Sequence, residues 1–282
     1  MPTQIHPKAE VAPGAELGVD VTVGPYSVIG PKVRIGDRTR IGPQVVIDGV
    51  TRIGEENLIV GQASIGAQPQ DLSYEDEPTH CTLGDRNTVR EFVTINRGTV
   101  KGGAITSVGS DCLLMACSHV AHDCEIEDDV ILANNVLLAG HVRVGKGAIV
   151  NGAAAAHQFV SIGSYSYIGG LTRIIQDVPP YMILEGHPAR VRKVNVIGLE
   201  RAGFPSDSIR AVRSAYRRLY RSGEPRNRVL EGLENESTDA MVRELVSALR
   251  DTEQGSKGRY RETLRDEFSR LGQERVFSAT RR

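Results

Sequence analysis

The sequence predicts a mainly β protein, in which a parallel β-helix of six-residue repeats precedes a small α-helical carboxy-terminal domain. Aliphatic or small residues recur every six positions through most of the first 174 residues. A period of six fits neither an amphipathic helix, whose period is about 3.6 residues, nor an alternating strand, and it is a signature of the parallel β-helix. Beyond residue 205 the apolar spacing becomes that of amphipathic helices.

The repeats fall into three runs. An aliphatic or small residue recurs every six positions from Val11 to Ile65, from Leu83 to Ile95 and from Val108 to Ile174. One such side chain per repeat points inward, and the glycine that follows it in VGPYSV and IGDRTR supplies backbone freedom at a corner. With three repeats per coil, we expect roughly eight coils that lie about 4.8 Å apart, as neighbouring strands do.

Two polar excursions interrupt the repeats, at residues 66–82 and 97–107. Excursions from a solenoid usually lie on one face and often serve binding, although a tolerated surface insertion gives the same pattern. Residues 175–200 contain three prolines and are predicted to form a connection. We therefore expect a β-helix domain over residues 1–190 and a helical domain over residues 191–282.

Three helices are expected in the second domain. The first begins with Ser206 as its cap and stops before Gly223. The second runs from Thr238 to Arg250, and a third lies around Phe268. The first helix also carries an arginine stripe, which consists of Arg210, Arg213, Arg217 and Arg221. Such a stripe is usually a solvated face, and the alternative is a docking site for an acidic partner protein.

The composition narrows the class of protein. The formal net charge is −1, so no overall field favours nucleic acid. No stretch approaches the roughly 18 apolar residues of a membrane span, and we expect a cytoplasmic protein without a transmembrane segment. The four cysteines form no CxxC pair, which argues against a zinc knuckle or a thioredoxin-type redox site.

The third run of repeats carries four of the seven histidines, namely His119, His122, His141 and His157. Because eighteen residues make one coil, His122, Gly140 and Gln158 are expected to form a column across three adjacent coils. His141 and His157 are each one residue away from that column. Histidines that are far apart in the sequence are therefore predicted to form one patch.

The chemistry of this patch suits proton transfer. A neutral imidazole, with an ordinary pKa of about 6.5, can take a proton from a hydroxyl or an amine near neutral pH. Asp123 could fix the tautomer of the His122 ring, although alternation along a strand directs neighbouring side chains to opposite faces. The Gly140 amide, which no side chain shields, could stabilise an oxyanion. A base and an oxyanion donor together predict acyl transfer without a covalent intermediate.

Two other interpretations of the histidines remain open at this point. Three imidazoles on a β-helix could bind zinc and activate water, as in a hydratase, although HxxH on an extended strand is poor chelating spacing. Alternatively, the β-helix could be a non-catalytic scaffold that binds a partner. That interpretation leaves the clustering of the histidines unexplained.

At the segments SHVAHDCEI, ILANNVLLAGHVRVG, AAHQFVSIG, IIQDVPPY and GLERAGF, the sequence resembles the UDP-N-acetylglucosamine acyltransferases of lipid A synthesis. The resemblance covers roughly residues 1–260, and the tail after Lys257 has no predicted role. It implies a left-handed β-helix and a homotrimer with active sites between subunits. It also implies transfer of a (3-hydroxy)acyl chain from acyl carrier protein to the 3-hydroxyl of UDP-N-acetylglucosamine. No resident cofactor or metal is implied, because the phosphopantetheine of the carrier protein holds the acyl group.

The resemblance further implies roles for individual residues. His122 corresponds to the family's general base, Asp123 to its supporting carboxylate and the Gly140 amide to the oxyanion donor. Substrate-binding positions of the family are matched by Asp71, His119, His141, His157, Gln158, Gly170, Asn195 and Arg201. Among these, Asp71 corresponds to a ligand of the sugar hydroxyls, Gly170 to the position that limits acyl length, and the last two to nucleotide and phosphate contacts. The arginine stripe fits the docking of acyl carrier protein, which is acidic.

Four positions depart from the family pattern. Ser73 replaces a usual Lys, Asn96 a common His, Ile197 a frequent acid and Ala202 an expected second Arg. These changes could mark selection of a 3-amino sugar nucleotide, which would make the product an amide. An N-acyltransferase is therefore the alternative to O-acylation, and acyl transfer is expected in either case because the catalytic column does not depart from the pattern.

Overall fold

The structure of the protein is a computed structural model that describes residues 2–279. The chain winds through three parallel sheets in turn, so that every third strand belongs to the same sheet. The first sheet contains β1 (Gln4–Ile5), β4 (Thr22–Val23), β7 (Arg40–Ile41), β10 (Leu58–Ile59), β13 (Thr88–Val89), β16 (Leu113–Leu114), β19 (Ile131–Leu132), β22 (Ile149–Val150) and β25 (Tyr167–Ile168). The second contains β2 (Glu10–Val11), β5 (Val28–Ile29), β8 (Val46–Ile47), β11 (Ser64–Ala67), β14 (Thr94–Asn96), β17 (His119–Val120), β20 (Leu137–Leu138), β23 (Ala155–Ala156) and β26 (Arg173–Ile174). The third contains β3 (Glu16–Leu17), β6 (Arg34–Ile35), β9 (Val50–Ile53), β12 (His80–Leu83), β15 (Ile105–Val108), β18 (Glu125–Ile126), β21 (Arg143–Val144) and β24 (Ser161–Ile162).

The six-residue period produces this architecture directly. In most strands the second residue points inward and is buried, as are Ile47, Leu132 and Ile168, while the first faces outward. The chain turns at each corner through a residue with positive φ, such as Asp129 at 60°. Non-glycine residues rarely adopt this conformation, and each coil stabilises it through hydrogen bonds to the next. The predicted fold class, a parallel β-helix followed by helices, is confirmed.

Both excursions leave the β-helix at the corner between the second and third sheets. Residues 68–79 connect β11 to β12, and residues 97–104 connect β14 to β15 through a 3-10 turn at Val100–Gly102. Each excursion is shorter than predicted because its flanking residues remain in strands. Away from the excursions, paired strands are eighteen residues apart, so that Leu137 lies between His119 and Ala155.

The expectation of a mere connection over residues 175–200 is wrong. This segment contains a hairpin of β27 (Met182–Glu185) and β28 (Arg190–Val194), followed by α1 (Val196–Arg201). The hairpin extends the first sheet, since β27 pairs in parallel with β25. Pro179 and Pro180 precede β27, and Pro188 lies in the turn, so none of them interrupts a strand. The predicted domain boundary at residues 190 and 191 falls inside β28.

Four further helices complete the fold: α2 (Ser206–Arg221), α3 (Arg226–Glu236), α4 (Ala240–Gln254) and α5 (Arg265–Ala279). The three predicted helices correspond to α2, α4 and α5, whereas α3 was not predicted. Ser206 is not a cap, because α2 already begins at this residue and Pro205 precedes it without a side-chain hydrogen bond. Asp239 caps α4 by accepting from the amides of Met241 and Val242.

The helices α2, α3 and α4 pack on the hairpin to form a second apolar core. Met182 and Val194 of the hairpin join Val212, Leu230 and Leu245 of the helices in this cluster. Among the described residues, no helix is long and apolar enough to cross a membrane.

Candidate active site

The predicted column of His122, Gly140 and Gln158 lies at the corner between the second and third sheets. We call residues 121–124, 140–141 and 158–159 the histidine corner. Backbone hydrogen bonds connect its coils, since the His141 amide donates to the His122 carbonyl at 3.0 Å and the Phe159 amide to the Gly140 carbonyl at 3.1 Å. Both excursions leave the same corner in the coils before it, so that the variable loops and the histidines share one region of the surface.

Asp123 is a buried carboxylate that fixes the ring of His122. Its side chain is 0% exposed, and Oδ2 lies 2.7 Å from His122 Nδ1. Because a carboxylate accepts only, the ring donates from Nδ1 and leaves Nε2 as its basic nitrogen. Strand alternation does not apply here, since Asp123 has a φ of 60° and lies in the corner turn. That turn allows two consecutive side chains to converge.

The second excursion provides the other ligands of this carboxylate. Thr99 donates to Asp123 twice, from its amide to Oδ1 at 2.8 Å and from its hydroxyl to Oδ2 at 2.6 Å. The Asp123 amide in turn donates to the Thr106 hydroxyl at 2.7 Å. A buried charge is costly unless its hydrogen-bonding capacity is satisfied, and three donors satisfy this one.

Gly140 lies directly against the His122 ring. A Cβ on Gly140 would lie 2.5 Å from His122 Cε1 and 2.7 Å from Nε2, so any side chain there would displace the imidazole. The Gly140 amide donates to no acceptor within residues 2–279. Likewise, His122 Nε2 has no hydrogen-bond partner in that range. A basic nitrogen and a free amide donor therefore lie close together, as general-base catalysis with oxyanion stabilisation requires.

His141 forms an uncharged wall beside this pair. Its ring stacks on Phe159 at a centroid distance of 4.2 Å and meets the His122 ring edge-on at 5.1 Å. Burial lowers the pKa of His141 to about 4, and its Nδ1 has no hydrogen-bond partner. His141 is therefore neutral at physiological pH and does not oppose a positive charge that forms on His122.

Three more predicted residues surround the corner. His119 points outward from β17, and its Nδ1 lies 2.7 Å from the Thr94 hydroxyl. Burial lowers the pKa of His119. His157 donates from Nδ1 to the carbonyl of Gln158 at 3.1 Å, and Gln158 is exposed at the corner itself. The structure thus places these side chains around His122 at the surface.

Asp71 lies on the first excursion. Its carboxylate accepts from the Ser73 amide at 2.9 Å and from the Ser73 hydroxyl at 2.8 Å. The amide and the hydroxyl of Ser73 hold the pKa of Asp71 below its usual value, and the positive charge of Lys101 adds to this effect. These interactions keep a charged acceptor on the excursion within electrostatic range of the corner.

Asn195 and Arg201 lie elsewhere in the chain. Asn195 caps α1, accepting from the Gly198 amide at 3.3 Å and donating to the Tyr165 carbonyl at 2.9 Å. Together with Tyr165, Tyr167 and Arg201 it lines a cavity of about 780 Å³. This cavity lies beside the first sheet and its corner with the third sheet, and not at the histidine corner.

Gly170 lies at the remaining corner, between the first and second sheets, where a Cβ would approach the Gly152 carbonyl oxygen at 3.2 Å. Within one chain, the predicted site residues therefore lie at all three corners of the β-helix. The structure brings together those of the histidine corner and Asp71, and it separates Gly170, Asn195 and Arg201 from them.

The four departures from the family pattern have definite places in the structure. Ser73 holds Asp71, and buried Asn96 donates to the Gln68 carbonyl at 2.9 Å, so both shape the first excursion. Ile197 and Ala202 line the cavity beside Arg201. The departures thus occur at a loop and at a cavity wall, and none of them forms a hydrogen bond with His122 within residues 2–279.

Sequence reasoning missed three residues that build the site. Thr99 holds Asp123, and Phe159 stacks on His141. Arg97, with a side chain only 8% exposed, ties down the first excursion through the Gly66 carbonyl at 3.0 Å, the Tyr74 hydroxyl at 2.9 Å and Asp76 at 3.2 Å. The excursions have no periodicity that could have revealed Thr99 or Arg97, whereas the column count could have included Phe159.

His122, Asp123 and His141 are also the one group in residues 2–279 whose ligand atoms lie close enough to hold a metal ion, within 4.8 Å of one another. An ion there would compete with Thr99 and with the His122 Nδ1 for the Asp123 oxygens. The group contains two imidazoles and not the three of the zinc alternative. This donor set fits a hydrogen-bonded base better than a metal centre.

The low pKa of His141 predicts a loss of stability in acid. An unfolded histidine titrates at about 6.5, so the unfolded chain binds more protons than the folded chain as the pH falls from that value towards about 4. The His141→Gln substitution removes this contribution of His141 to the loss of stability in acid. We expect the midpoint of thermal unfolding to decrease less between about pH 7.5 and about pH 5 in His141→Gln than in the wild type. A His157→Gln control should follow the wild type, and an unchanged decrease in His141→Gln would contradict the assignment.

Comparison with known proteins agrees with this geometry. Residues 177–257 match the family model described as Udp N-acetylglucosamine O-acyltransferase, domain 2, and residues 17–49 and 105–140 match the six-repeat bacterial transferase hexapeptide model. The chain is 49% identical over 246 residues to the acyl-(acyl-carrier-protein)–UDP-N-acetylglucosamine O-acyltransferase of Burkholderia orbicola, covering 87% of this chain and 90% of that protein. It is 51% identical over 221 residues to the enzyme of the same name from Verminephrobacter eiseniae, covering 78% and 84%.

A solved structure shows the same similarity. LpxA from Acinetobacter baumannii superposes with a TM-score of 0.82 at 40% identity, covering 86% of this chain and 95% of that one. Since the relatives are similar over most of both chains, the protein belongs to the family of acyl-(acyl-carrier-protein)–UDP-N-acetylglucosamine O-acyltransferases.

Proposed function

We propose that the protein transfers a (3-hydroxy)acyl chain from acyl carrier protein to the 3-hydroxyl of UDP-N-acetylglucosamine, with His122 as the general base. The observation that carries this proposal is the His122–Asp123 hydrogen bond of 2.7 Å beside the free amide of Gly140. The names of the relatives favour the O-acyl product over an amide. The departures at Ser73 and Ile197 are then variations at the edge of the site.

The proposed acyl transfer uses two nitrogen atoms, His122 Nε2 and the amide nitrogen of Gly140. His122 Nε2 takes the proton of the sugar hydroxyl while the oxygen attacks the thioester carbonyl. The Gly140 amide donates to the tetrahedral oxyanion. When the intermediate collapses, the carbon–sulfur bond breaks and the imidazolium returns the proton to the leaving thiolate. An ester and a free thiol result, and no covalent enzyme intermediate forms.

The remaining groups of the site position the substrates. Asp71 offers a charged acceptor to sugar hydroxyls, and exposed Gln158 adds a donor and an acceptor at the corner. Every step uses groups of the chain and of the two substrates, so we propose that no metal or other resident cofactor takes part. The acyl group arrives on the phosphopantetheine of the carrier protein.

The outward faces of the sheets favour a trimer. The third sheet presents charged side chains, such as Glu16, Arg34, Arg52, Glu125 and Arg143. The first and second sheets present apolar ones, which include Val28, Val46, Leu58, Leu113, Ile131, Leu137, Ile149 and Ala155. Val28, Val46 and Leu137 are 40%, 43% and 51% exposed in the single chain. Two adjoining apolar faces suit a threefold assembly, in which the first sheet of each chain faces the second sheet of the next.

This assembly would complete the site. With the corner between the first and second sheets at the threefold axis, the cavity of Asn195 and Arg201 meets the histidine corner of the neighbouring chain. The apolar side chains of Leu137 and Ala155 lie between the histidine corner and the corner of Gly170. An acyl chain can therefore run inward over them, and Gly170 would limit its length.

The arginine stripe of α2 is the proposed docking surface for acyl carrier protein. All four of its arginines are exposed, and the opposite face of α2 is buried through Ile209, Val212 and Ala215. Asp207 forms a salt bridge with one arginine of the stripe, Arg210, so the four arginines together keep an excess of positive charge. An acidic partner would be attracted to such a surface.

The His122→Ala substitution tests the base. We expect turnover to fall by about 100-fold or more, because general bases typically contribute at least that much. Ester formation from UDP-N-acetylglucosamine and a hydroxyacyl carrier protein would be measured by mass spectrometry. His6→Ala, which changes an exposed histidine far from the corner, should retain wild-type turnover. Turnover of His122→Ala above about a tenth of wild type would rule out this role.

Mixed trimers test the shared site. We would combine equal amounts of His122→Ala and Arg201→Glu chains, each of which should be nearly inactive alone. If the two residues act across an interface, about a quarter of the sites in random mixtures contain both native residues. Activity should therefore recover to about a quarter of wild type. A mixture as inactive as its components would show that both residues serve the same chain.

A further inference from the structure

The segment after residue 257 lies outside the match to the family model, yet the structure packs it along the histidine corner. We call residues 259–279 the carboxy-terminal arm. The arm consists of a 3-10 turn at Tyr260–Leu264 and of α5. It runs from the last coil of the β-helix, at Asp177, to the second excursion, at Gly103.

Buried polar contacts fasten the start of the arm. Arg259, whose side chain is 7% exposed, donates to the Ile175 carbonyl at 3.2 Å, and the Tyr260 amide donates to Asp177 at 2.8 Å. Arg261, 13% exposed, donates to the His141 carbonyl at 3.1 Å and to Glu125 at 3.0 Å. These contacts attach the arm to the coils that carry the site.

The first turn of α5 lies over the aromatic stack of the corner. The Arg265 guanidinium lies 4.3 Å from the centroid of the Phe159 ring, whose other face carries His141. Glu262 pairs with both Arg259 and Arg265, so it neutralises part of their charge. A cation–π contact of this kind is attractive, and together with the buried hydrogen bonds it defines the position of the helix.

Near its middle, α5 packs closely against the second excursion, with the main chain of the helix in contact with the main chain of the loop. A Cβ on Gly272 would lie 1.9 Å from the Val100 carbonyl oxygen and 3.1 Å from the Val100 Cα. Arg275 donates to the Gly103 carbonyl in the same turn. The helix can approach this closely only because residue 272 has no side chain.

The 3-10 turn at Val100–Gly102 contacts α5 on one side and the carboxylate of Asp123 on the other. A Cβ on Gly102 would lie 2.0 Å from Asp123 Cγ, and Thr99 at the start of the turn holds both Asp123 oxygens. One layer of backbone therefore separates α5 from Asp123.

We propose that α5 is a clamp that positions the catalytic base, acting through the turn at residues 99–103, and that Gly272 is its positioning residue. The clamp rests on the proposed function, because it takes His122 as the base. Displacement of the turn would loosen the Thr99 bonds to Asp123 and, with them, the orientation of the His122 ring. A misplacement of about 1 Å in a catalytic group can cost about 100-fold in rate.

The Gly272→Leu substitution tests the clamp, since a bulky side chain would push α5 away from Val100. We expect kcat to fall by about tenfold to 100-fold, while the KM for UDP-N-acetylglucosamine stays within about twofold, because the proposed nucleotide contacts lie on another corner. Arg270→Ala is the matched control on the same helix. Its side chain is 63% exposed and pairs with Glu274 on the same helix, so both constants should stay at their wild-type values.

A second readout does not depend on turnover. Amide hydrogen exchange of residues 97–104, followed by mass spectrometry, should be faster in Gly272→Leu and in a chain that ends at Gly258 than in the wild type. Wild-type exchange in both variants would overturn the clamp, and so would faster exchange with a wild-type kcat. If the wild type forms no ester, the proposed function fails, whereas the exchange data still decide whether α5 orders the turn.

Discussion

The buried carboxylate of Asp123 is the interaction on which the site depends. It is fully enclosed, and its oxygens accept from a backbone amide, a hydroxyl and an imidazole. An unpaired charge at this depth would be costly, so the second excursion, the corner turn and the ring of His122 must adopt one arrangement together. That arrangement leaves His122 Nε2 and the Gly140 amide without a hydrogen-bond partner within residues 2–279, and these are the groups that acyl transfer needs.

The β-helix makes such an arrangement possible because it fixes the register between the strands of successive coils. Paired strands bring residues eighteen positions apart into contact, and the corners repeat at the same positions in each coil. Where the excursions are inserted, the pairing separation rises, as between Leu58 and Thr88, but the register of the inward residues is retained. The loops can therefore vary in length and sequence without moving the column of His122, Gly140 and Gln158. Rigid coils and variable excursions thus meet at one corner.

The parts of the structure that follow from periodicity could be predicted, and the parts that follow from single contacts could not. The six-residue period predicts the parallel sheets and the alignment of His122 with Gly140, because one count governs every coil. Strand alternation suggests that Asp123 points away from His122, and it fails because the corner residue has a positive φ. Thr99 lies in an excursion with no repeat, so its bond to Asp123 has no signal in the sequence. The placement of α5 depends on Gly272 and Arg261, whose partners are more than a hundred residues away in the chain.

The turnover of Asp123→Asn is the measurement that would best establish the role of the buried carboxylate. An asparagine has nearly the same shape but only one accepting oxygen, so it cannot satisfy both Thr99 and the His122 Nδ1. The tautomer with a basic Nε2 is then no longer favoured. We expect kcat to fall by about 100-fold or more, while the KM for UDP-N-acetylglucosamine changes by less than about threefold. A kcat within about threefold of wild type would show that the buried carboxylate does not set the base, and the account of the site would be wrong.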